Sequence, residues 1–175
     1  MDNDINELVE NDSMCRVFLS HAYSYAVSYS KDPSTQLGAV LVKPHSGVIG
    51  WGVNGLPPRI SNKEDRWVRP QKYEYIEHAE RNVIYKCAER GICSTGLIMY
   101  CPWFACTDCA RAIIQSGIHA VVGHKEIYKH TNDRWKESTE TGISMLNEAG
   151  VRTKLWSGNI GNNTCILVNG QEFHP

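Results

Sequence analysis

The chain has 175 residues, of which 42% are apolar and 21% charged, and its formal net charge at pH 7 is −1. This length predicts one domain with a substantial core. The near-neutral charge argues against a dedicated nucleic-acid-binding protein, which normally carries a basic surplus. No apolar run approaches membrane-spanning length, and the acidic start of the chain resembles neither a secretory signal nor a transit peptide. We therefore expect a cytoplasmic protein without nucleic-acid polymer or membrane partners.

The first part of the chain predicts one helix followed by a β-hairpin. Asp12 or Ser13 can cap a helix that runs to about Ser30. Its expected buried stripe comprises Val17, Phe18, Ala22, Tyr25, Ala26 and Tyr29. After a turn-rich loop, two β-branched runs, Leu37–Val42 and Gly47–Val53, predict the strands of a hairpin.

Beyond the hairpin, a long proline-containing loop from residue 54 to about 73 is of a length that is often functional. Elements then alternate, with helices predicted over 76–90, 107–116 and 135–148 and strands over 97–101, 118–122 and 151–155. A polar loop is expected over 125–133. This order predicts an α/β fold, a three-layer α/β/α sandwich around one mixed sheet. We expect residues 1–12 to be a flexible acidic N-terminus, 13–155 to form the domain, and 156–175 to be a tail of unknown role.

The most informative motif combines one histidine, one glutamate and two cysteines. His78-Ala79-Glu80 is followed by Cys106-Thr107-Asp108-Cys109. One imidazole and two thiolates supply three ligands for a tetrahedral zinc and leave the fourth position to water. Glu80 is placed to move the protons of that water. His-x-Glu followed by Cys-x-x-Cys is the signature of zinc-dependent nucleobase deaminases, so hydrolytic deamination is the leading hypothesis.

Two other interpretations of the motif stay open on the residues alone. Cys-x-x-Cys can be a thioredoxin-like redox pair, although such a pair needs no His-x-Glu on a preceding helix. The cysteines and histidine can also belong to a structural zinc site whose fourth protein ligand is unidentified. The other five of the seven cysteines lack metal-ligand spacing, and most of them are expected to be thiols packed in the core.

Five sequence blocks together resemble a known family. They are Ser30-Lys31-Asp32-Pro33, Leu37-Gly38-Ala39-Val40, the loop 52–57, the run 72–82 into the histidine helix, and residues 109–118. In this order and spacing they resemble deoxycytidylate deaminases of the cytidine deaminase-like superfamily, from about Cys15 to Leu155. The resemblance implies zinc as the cofactor, His78, Cys106 and Cys109 as its ligands, and Glu80 as the proton shuttle.

The same resemblance implies a set of substrate contacts. Asn54 would bind the sugar, while Tyr128 would line the base pocket and Lys129 would lie near the phosphate. A tyrosine can stack on a base and a lysine can pair with a phosphate. Further contacts are expected from Ala79, Ser34 and Lys31.

The chain also departs from the family pattern. Ala105 replaces the proline before the first zinc cysteine, and Trp103 stands where a smaller residue is usual. Proline pre-organises a helix start without taking part in chemistry, so zinc binding should survive. Val53 replaces a tyrosine in the loop of Asn54, which puts in doubt the binding of a deoxynucleoside triphosphate effector seen in some members.

The sequence thus favours an enzyme that converts deoxycytidylate to deoxyuridylate and ammonia, assembled as a homo-oligomer. A deaminase of another small amino-base nucleoside or nucleotide is the alternative that the changes at Trp103 and Ala105 suggest. A catalytically silent zinc-binding regulatory protein on the same scaffold is a third hypothesis, but it has no need for Glu80. Nucleic-acid editing is the least favoured, because the charge balance is wrong.

Overall fold

A computed structural model of the chain describes residues 2–161 and 164–175. The helices are α1 (Asp2–Glu10), α2 (Asp12–Tyr29), α3 (Lys72–Tyr75), α4 (Ala79–Glu89), α5 (Thr107–Gln115), α6 (Lys125–Tyr128) and α7 (Asp133–Glu148). The strands are β1 (Gly38–Lys43), β2 (Gly47–Val53), β3 (Ile98–Tyr100), β4 (Ala120–His124), β5 (Arg152–Trp156), β6 (Ile166–Val168) and β7 (Gln171–Phe173). Within the described residues no helix is both long and apolar enough to cross a membrane.

The central sheet has five strands in the order β2-β1-β3-β4-β5. β1 pairs antiparallel with β2 and β3, whereas β3, β4 and β5 are parallel. Alternate side chains of the strands point to opposite faces, and two apolar clusters result. One lies against α1 and α2, and the other against α4, α5 and α7. The predicted mixed sheet in a three-layer α/β/α sandwich is confirmed.

The buried face of α2 differs from the predicted stripe. Phe18, Ala22 and Ala26 are buried as expected, but Val17 and Tyr29 are 47% and 54% exposed. The buried set also includes Cys15, Leu19 and Tyr23. α2 is covered by α1 and the C-terminal segment as well as by the sheet, so its buried face lies elsewhere than a single stripe predicts.

Both ends of the chain are more ordered than the sequence indicated. The segment expected to be a flexible acidic N-terminus contains α1, whose Ile5 and Val9 are fully buried against the sheet layer. The tail contributes Ile160, Ile166 and Val168 to the same cluster and forms the separate β6–β7 hairpin. The predicted polar loop 125–133 begins with the short helix α6. Apolar residues spaced one helical turn apart, such as Ile5 and Val9, lie on one face of a helix, and packing that face against the core removes their apolar surface from water.

Two glycines set how closely the helices approach the site. A Cβ at Gly52 would lie 2.5 Å from the backbone nitrogen of Val83, so α4 packs directly on β2. A Cβ at Gly142 would lie 2.5 Å from the carbonyl oxygen of Ala105, so α7 packs on the segment that leads into α5. No larger side chain fits at either position without displacing backbone, and the starts of α4 and α5 are fixed by these contacts.

Candidate metal centre and active site

The starts of α4 and α5 bring the three predicted ligands together. His78 caps α4 with extended backbone (φ −75°, ψ 154°), and Cys106 caps α5 in the same way (φ −71°, ψ 173°). Cys109 lies in the first turn of α5 and is fully buried. The positive partial charge of a helix N-terminus favours thiolate over thiol, so the start of α5 favours the thiolate forms that bind a metal.

The spacing of the ligand atoms fits one zinc ion. His78 Nδ1 lies 3.6 Å from Cys106 Sγ and 3.5 Å from Cys109 Sγ. Zinc–sulfur bonds of about 2.3 Å and zinc–nitrogen bonds of about 2.0–2.1 Å at a tetrahedral angle require an N–S separation of about 3.6 Å. The three donors therefore have both the chemistry and the spacing of ligands to one zinc ion.

The charge states of the three residues are strongly coupled. A hydrogen bond from the Cys109 thiol lowers the pKa of Cys106 to about 3, while sharing that proton raises the pKa of Cys109 well above its usual range. Burial alone would lower the pKa of His78, but the hydrogen bond with Cys106 and the nearby negative charges raise it. The cluster thus already favours negative sulfur beside a positive partner.

Glu80 lies on the cavity side of the same helix start. Its side chain is only 4% exposed and lines one cavity with His78 and Cys106. Both side chains line this cavity, and the His78 ring also lies within 3.6 Å of the Cys106 and Cys109 sulfurs. Burial raises the pKa of the Glu80 carboxyl group, a shift typical of groups that take up and release protons.

Arg81 and Trp135 support the ligands from outside. The Arg81 guanidinium donates to Cys109 Sγ at 3.9 Å and is ion-paired with Glu77. The Trp135 ring, from α7, meets the His78 ring edge-on at 5.6 Å. A cation beside a thiolate and a ring against the imidazole both restrict how the ligands can move. Trp135 was not predicted, because nothing local relates α7 to the start of α4.

A buried polar network supports the part of the cavity wall that Thr35, Asn54 and Lys72 form. Lys72 and Asp32 are 3% and 1% exposed, and their charged atoms lie 2.6 Å apart. Asp32 also accepts from the backbone amides of Ser34 and Thr35 at 2.9 and 3.0 Å. Asn54 donates to Asp32 at 3.0 Å and to the Thr35 carbonyl at 2.7 Å. The loop between α2 and β1 is therefore held rigidly along the cavity.

The amide of Asn54 uses all of its hydrogen-bonding positions within the protein. Besides its two donated bonds, its oxygen accepts from Ser30 Oγ and from the Leu37 amide, each at 2.8 Å. An asparagine side chain offers two donors and two acceptor lone pairs. Asn54 does line the cavity, but here it positions the loop 30–37, and the predicted sugar contact requires one of these bonds to be replaced.

The cavity contains part of the predicted site and several residues that the sequence did not indicate. Its lining comprises Thr35, Leu37, Asn54, Arg69, Lys72, Tyr73, Ile76, His78, Glu80, Trp103, Phe104, Cys106, Trp135, Thr139 and Asn169. Trp103 thus forms part of the cavity wall, as the sequence predicted. The unpredicted members from loops and from the tail had no sequence signal beyond their charge or polarity.

Five predicted substrate contacts do not line this cavity. Lys129 is exposed, and its Nζ lies 3.8 Å from Glu126. Tyr128 is half-buried at the end of α6, Ala79 is fully buried as the first residue of α4, and Lys31 is exposed. Ser34 is hydrogen-bonded to Asp32 and Lys72 behind the wall. Their roles toward substrate stay predictions.

An α/β sandwich with a His–Cys–Cys cluster and a buried glutamate in the same cavity is typical of the zinc-dependent deaminases of amino bases. The model of the cytidine and deoxycytidylate deaminase zinc-binding region matches residues 13–125 of the chain. The chain belongs to this family.

Individual relatives agree with this assignment. The deoxycytidylate deaminase of Homo sapiens is 36% identical over 128 residues, which cover 70% of this chain and 68% of that protein. An uncharacterized deaminase in the luxG 3' region of Aliivibrio fischeri is 38% identical over 124 residues, covering 71% and 81%. Among solved structures, dCMP deaminase from cyanophage S-TIM5 in complex with dCMP and dUMP superposes with a TM-score of 0.60 at 24% identity, covering 82% and 97%. The structural match supports the fold.

Proposed function

We propose that the protein catalyses the hydrolytic deamination of deoxycytidylate to deoxyuridylate and ammonia. The observation that carries the proposal is the position of Glu80, buried in the same cavity as His78 and Cys106. A structural zinc site needs no buried carboxylate beside it, and a redox pair needs neither the glutamate nor the histidine. The deoxycytidylate deaminases among the relatives support the choice of nucleotide.

His78, Cys106 and Cys109 would hold the zinc ion, and when bound it would supply a Lewis acid that lowers the pKa of water. The buried Glu80 carboxylate accepts a proton from the attacking water and passes it to the ring nitrogen of the base. It then assists transfer of a proton to the departing amine. Water thereby adds oxygen to the ring carbon, and ammonia leaves. General acid–base assistance of this kind is worth about 10²–10⁴-fold.

Aromatic residues of the cavity orient the base and exclude bulk water. Trp103 and Phe104 are 8% and 4% exposed and line the cavity with Tyr73 and Trp135. Trp103 is fixed by a hydrogen bond from its Nε1 to Thr131 Oγ1 at 2.8 Å. An apolar wall of this kind strengthens the electrostatic interactions of the groups it encloses.

The substrate contacts expected from the sequence belong to the same proposal. Asn54 would bind the sugar, Tyr128 would stack on the base and Lys129 would pair with the phosphate, with additional contacts from Ser34, Lys31 and Ala79. The proposal also includes a cytoplasmic location, assembly as a homo-oligomer and binding of a deoxynucleoside triphosphate effector. Light scattering of the purified protein and deaminase assays with and without added triphosphates test the last two.

The proton-shuttle role predicts that Glu80→Gln keeps zinc and fold while turnover falls at least about 10²-fold. Glutamine has the same size and can still hydrogen-bond to water, but it cannot relay a proton. Metal analysis and ammonia release from deoxycytidylate measure the two properties, with Glu89→Gln as the control because that exposed residue lies at the far end of the same helix. Retention of more than about a tenth of wild-type turnover would show that Glu80 is not the shuttle.

Ammonia release from a panel of cytosine and adenine nucleosides and nucleotides separates the favoured substrate from the alternative one. Preference for a free nucleoside would remove the deoxycytidylate assignment. A protein that binds zinc and nucleotide without releasing ammonia from any member of the panel would instead be a regulatory protein on this scaffold.

A further inference from the structure

The C-terminal β6–β7 hairpin is joined to the loop that forms the cavity wall. Gln36 donates from its backbone amide to the Leu167 carbonyl at 2.8 Å, and its side chain accepts from the Leu167 amide at 3.1 Å. The Gly170 amide donates to the Ser34 carbonyl at 2.7 Å. Buried Ile166 anchors the hairpin in the core. The hairpin is thus a fixed part of the wall, although it lies outside the region that defines the family.

Asn169, at the turn of this hairpin, is the hairpin residue that lines the cavity. Its backbone is left-handed (φ 53°), a conformation that asparagine tolerates better than most residues. Its amide donates to Thr35 Oγ1 at 3.2 Å, and its side-chain nitrogen approaches the His130 carbonyl oxygen at 3.4 Å. Asn169 therefore bridges two loops at the cavity.

The hydrogen bond from the Asn169 amide leaves the Thr35 hydroxyl group able to donate a hydrogen bond to a ligand. A hydroxyl group has one donor and two acceptor positions, and here the oxygen accepts from Asn169. Among the described residues the Thr35 hydroxyl proton has no acceptor, although the side chain lines the cavity. The proton is available to an oxygen of a bound molecule.

The charged side chains of the cavity indicate which cation can pair with a negatively charged part of a bound molecule. Of the lysine and arginine side chains that line the cavity, Lys72 is already paired with Asp32. The Arg69 guanidinium is exposed and, within the described part of the chain, has no hydrogen-bonding or ionic partner. The reacting end of the cavity, marked by Glu80, is buried, whereas Arg69 and Asn169 are exposed. These two residues therefore lie toward the mouth.

We propose that Arg69, Thr35 and Asn169 bind the sugar-phosphate part of a nucleoside monophosphate, and that the C-terminal hairpin is part of the specificity site. This inference rests on the proposed function, because a base placed against Glu80 directs its sugar and phosphate to the mouth. Arg69 supplies a cation for the phosphate from the cavity lining itself, in addition to the contact proposed for Lys129. Thr35 and Asn169 donate hydrogen bonds to the sugar or phosphate oxygens.

Binding of deoxyuridine monophosphate and of deoxyuridine to zinc-loaded protein, measured by titration calorimetry, tests the proposal without depending on turnover. Wild-type protein should bind the monophosphate more tightly. Arg69→Ala should weaken monophosphate binding by about tenfold to about a hundredfold and nucleoside binding by less than about twofold, because only the charge-assisted contact is lost. Arg69→Lys should recover part of that loss.

Asn169→Gly should weaken monophosphate binding by about twofold to about tenfold, the range of a neutral hydrogen bond. Glycine is chosen because it keeps the left-handed backbone that alanine would strain. Asn169→Asp keeps the turn and adds a negative charge, so its loss should be larger and confined to the monophosphate. Lys63→Ala is the matched control, since Lys63 is an exposed cation of the same long loop that does not line the cavity.

Three results would overturn the inference. They are equal binding of the two ligands by wild-type protein, equal losses for both ligands in Arg69→Ala, and a monophosphate-selective loss in Lys129→Ala with none in Arg69→Ala. Failure of the proposed function has a different signature. It would be an absence of ammonia release from deoxycytidylate by wild-type protein whose binding still depends on Arg69.

Discussion

The buried ion pair between Lys72 and Asp32 gives the sharpest stability prediction. Neither side chain is more than 3% exposed, and the ammonium lies 2.6 Å from the carboxylate. Lys72 also donates to Ser34 Oγ at 2.7 Å. The pair links α3 to the loop after α2, so it fixes the part of the cavity wall to which these two segments contribute Lys72 and Thr35.

The two partners should not be equally costly to remove. Without the ammonium, the Asp32 carboxylate still accepts from the Ser34 and Thr35 amides and from Asn54. In Asp32→Asn the Lys72 ammonium stays charged and buried, but among the described residues it then contacts only uncharged groups such as Ser34 Oγ. Breaking a buried pair costs about 3–5 kcal/mol of unfolding free energy. We expect a loss of unfolding free energy of about 3 kcal/mol for Lys72→Met and of about 5 kcal/mol for Asp32→Asn.

Guanidinium unfolding followed by circular dichroism measures both variants, and the double variant completes a thermodynamic cycle. The double variant should be less destabilised than the sum of the single variants, because no unpaired charge is left buried. A loss of unfolding free energy below about 1 kcal/mol in Lys72→Met would be no larger than the contribution of a solvent-exposed ion pair. That result, or strictly additive losses, would refute the argument from burial.

Two further predictions concern the metal centre and the buried histidine at the end of β4. Arg81→Met should weaken zinc affinity by about 10–100-fold while the fold is kept, because removal of a residue that supports a ligand has this effect; chelator competition measures it, and unchanged affinity would mean that the contact with Cys109 does not matter. His124 is fully buried, and burial lowers its pKa although the Gly158 carbonyl and Glu126 favour its charged form. Since the unfolded chain then binds a proton more readily, stability should fall as the pH drops below the unfolded value of about 6.5, and His124→Gln should remove that part of the pH dependence in thermal melts.

Local sequence patterns were sufficient for much of the metal centre. His78 and Glu80 lie at one helix start, and Cys106 and Cys109 at the next, as the spacing of polar and apolar residues predicted. Such positions follow from capping and helical periodicity, which act over a few residues. The alternation of helices and strands likewise predicted the mixed sheet, because each amphipathic element has few ways to bury its apolar side.

The patterns failed where burial depended on distant segments. The periodicity of α2 predicts a buried Val17, but this residue is exposed because α1 and the tail, which the periodicity does not report, cover a different face of the helix. The tail lies outside the residues 13–125 that the family model matches, yet Ile166 is buried and Asn169 reaches the cavity. Periodicity reports that a residue can be buried, but the partner that covers it is set by the packing of the whole chain.

The sequence by itself therefore determined which residues are the candidate zinc ligands and which carboxylate is the candidate proton carrier, and the structure places His78, Cys106 and Cys109 together with Glu80 nearby. Only the tertiary structure decided what forms the mouth. Thr35, Arg69 and Asn169 come from three segments that are far apart in the sequence and share no motif. Metal ligation demands particular donor atoms at short, repeated spacing and so leaves a pattern in the sequence. The wall of a cavity needs only side chains that loop packing happens to bring together, and that convergence has no local signature.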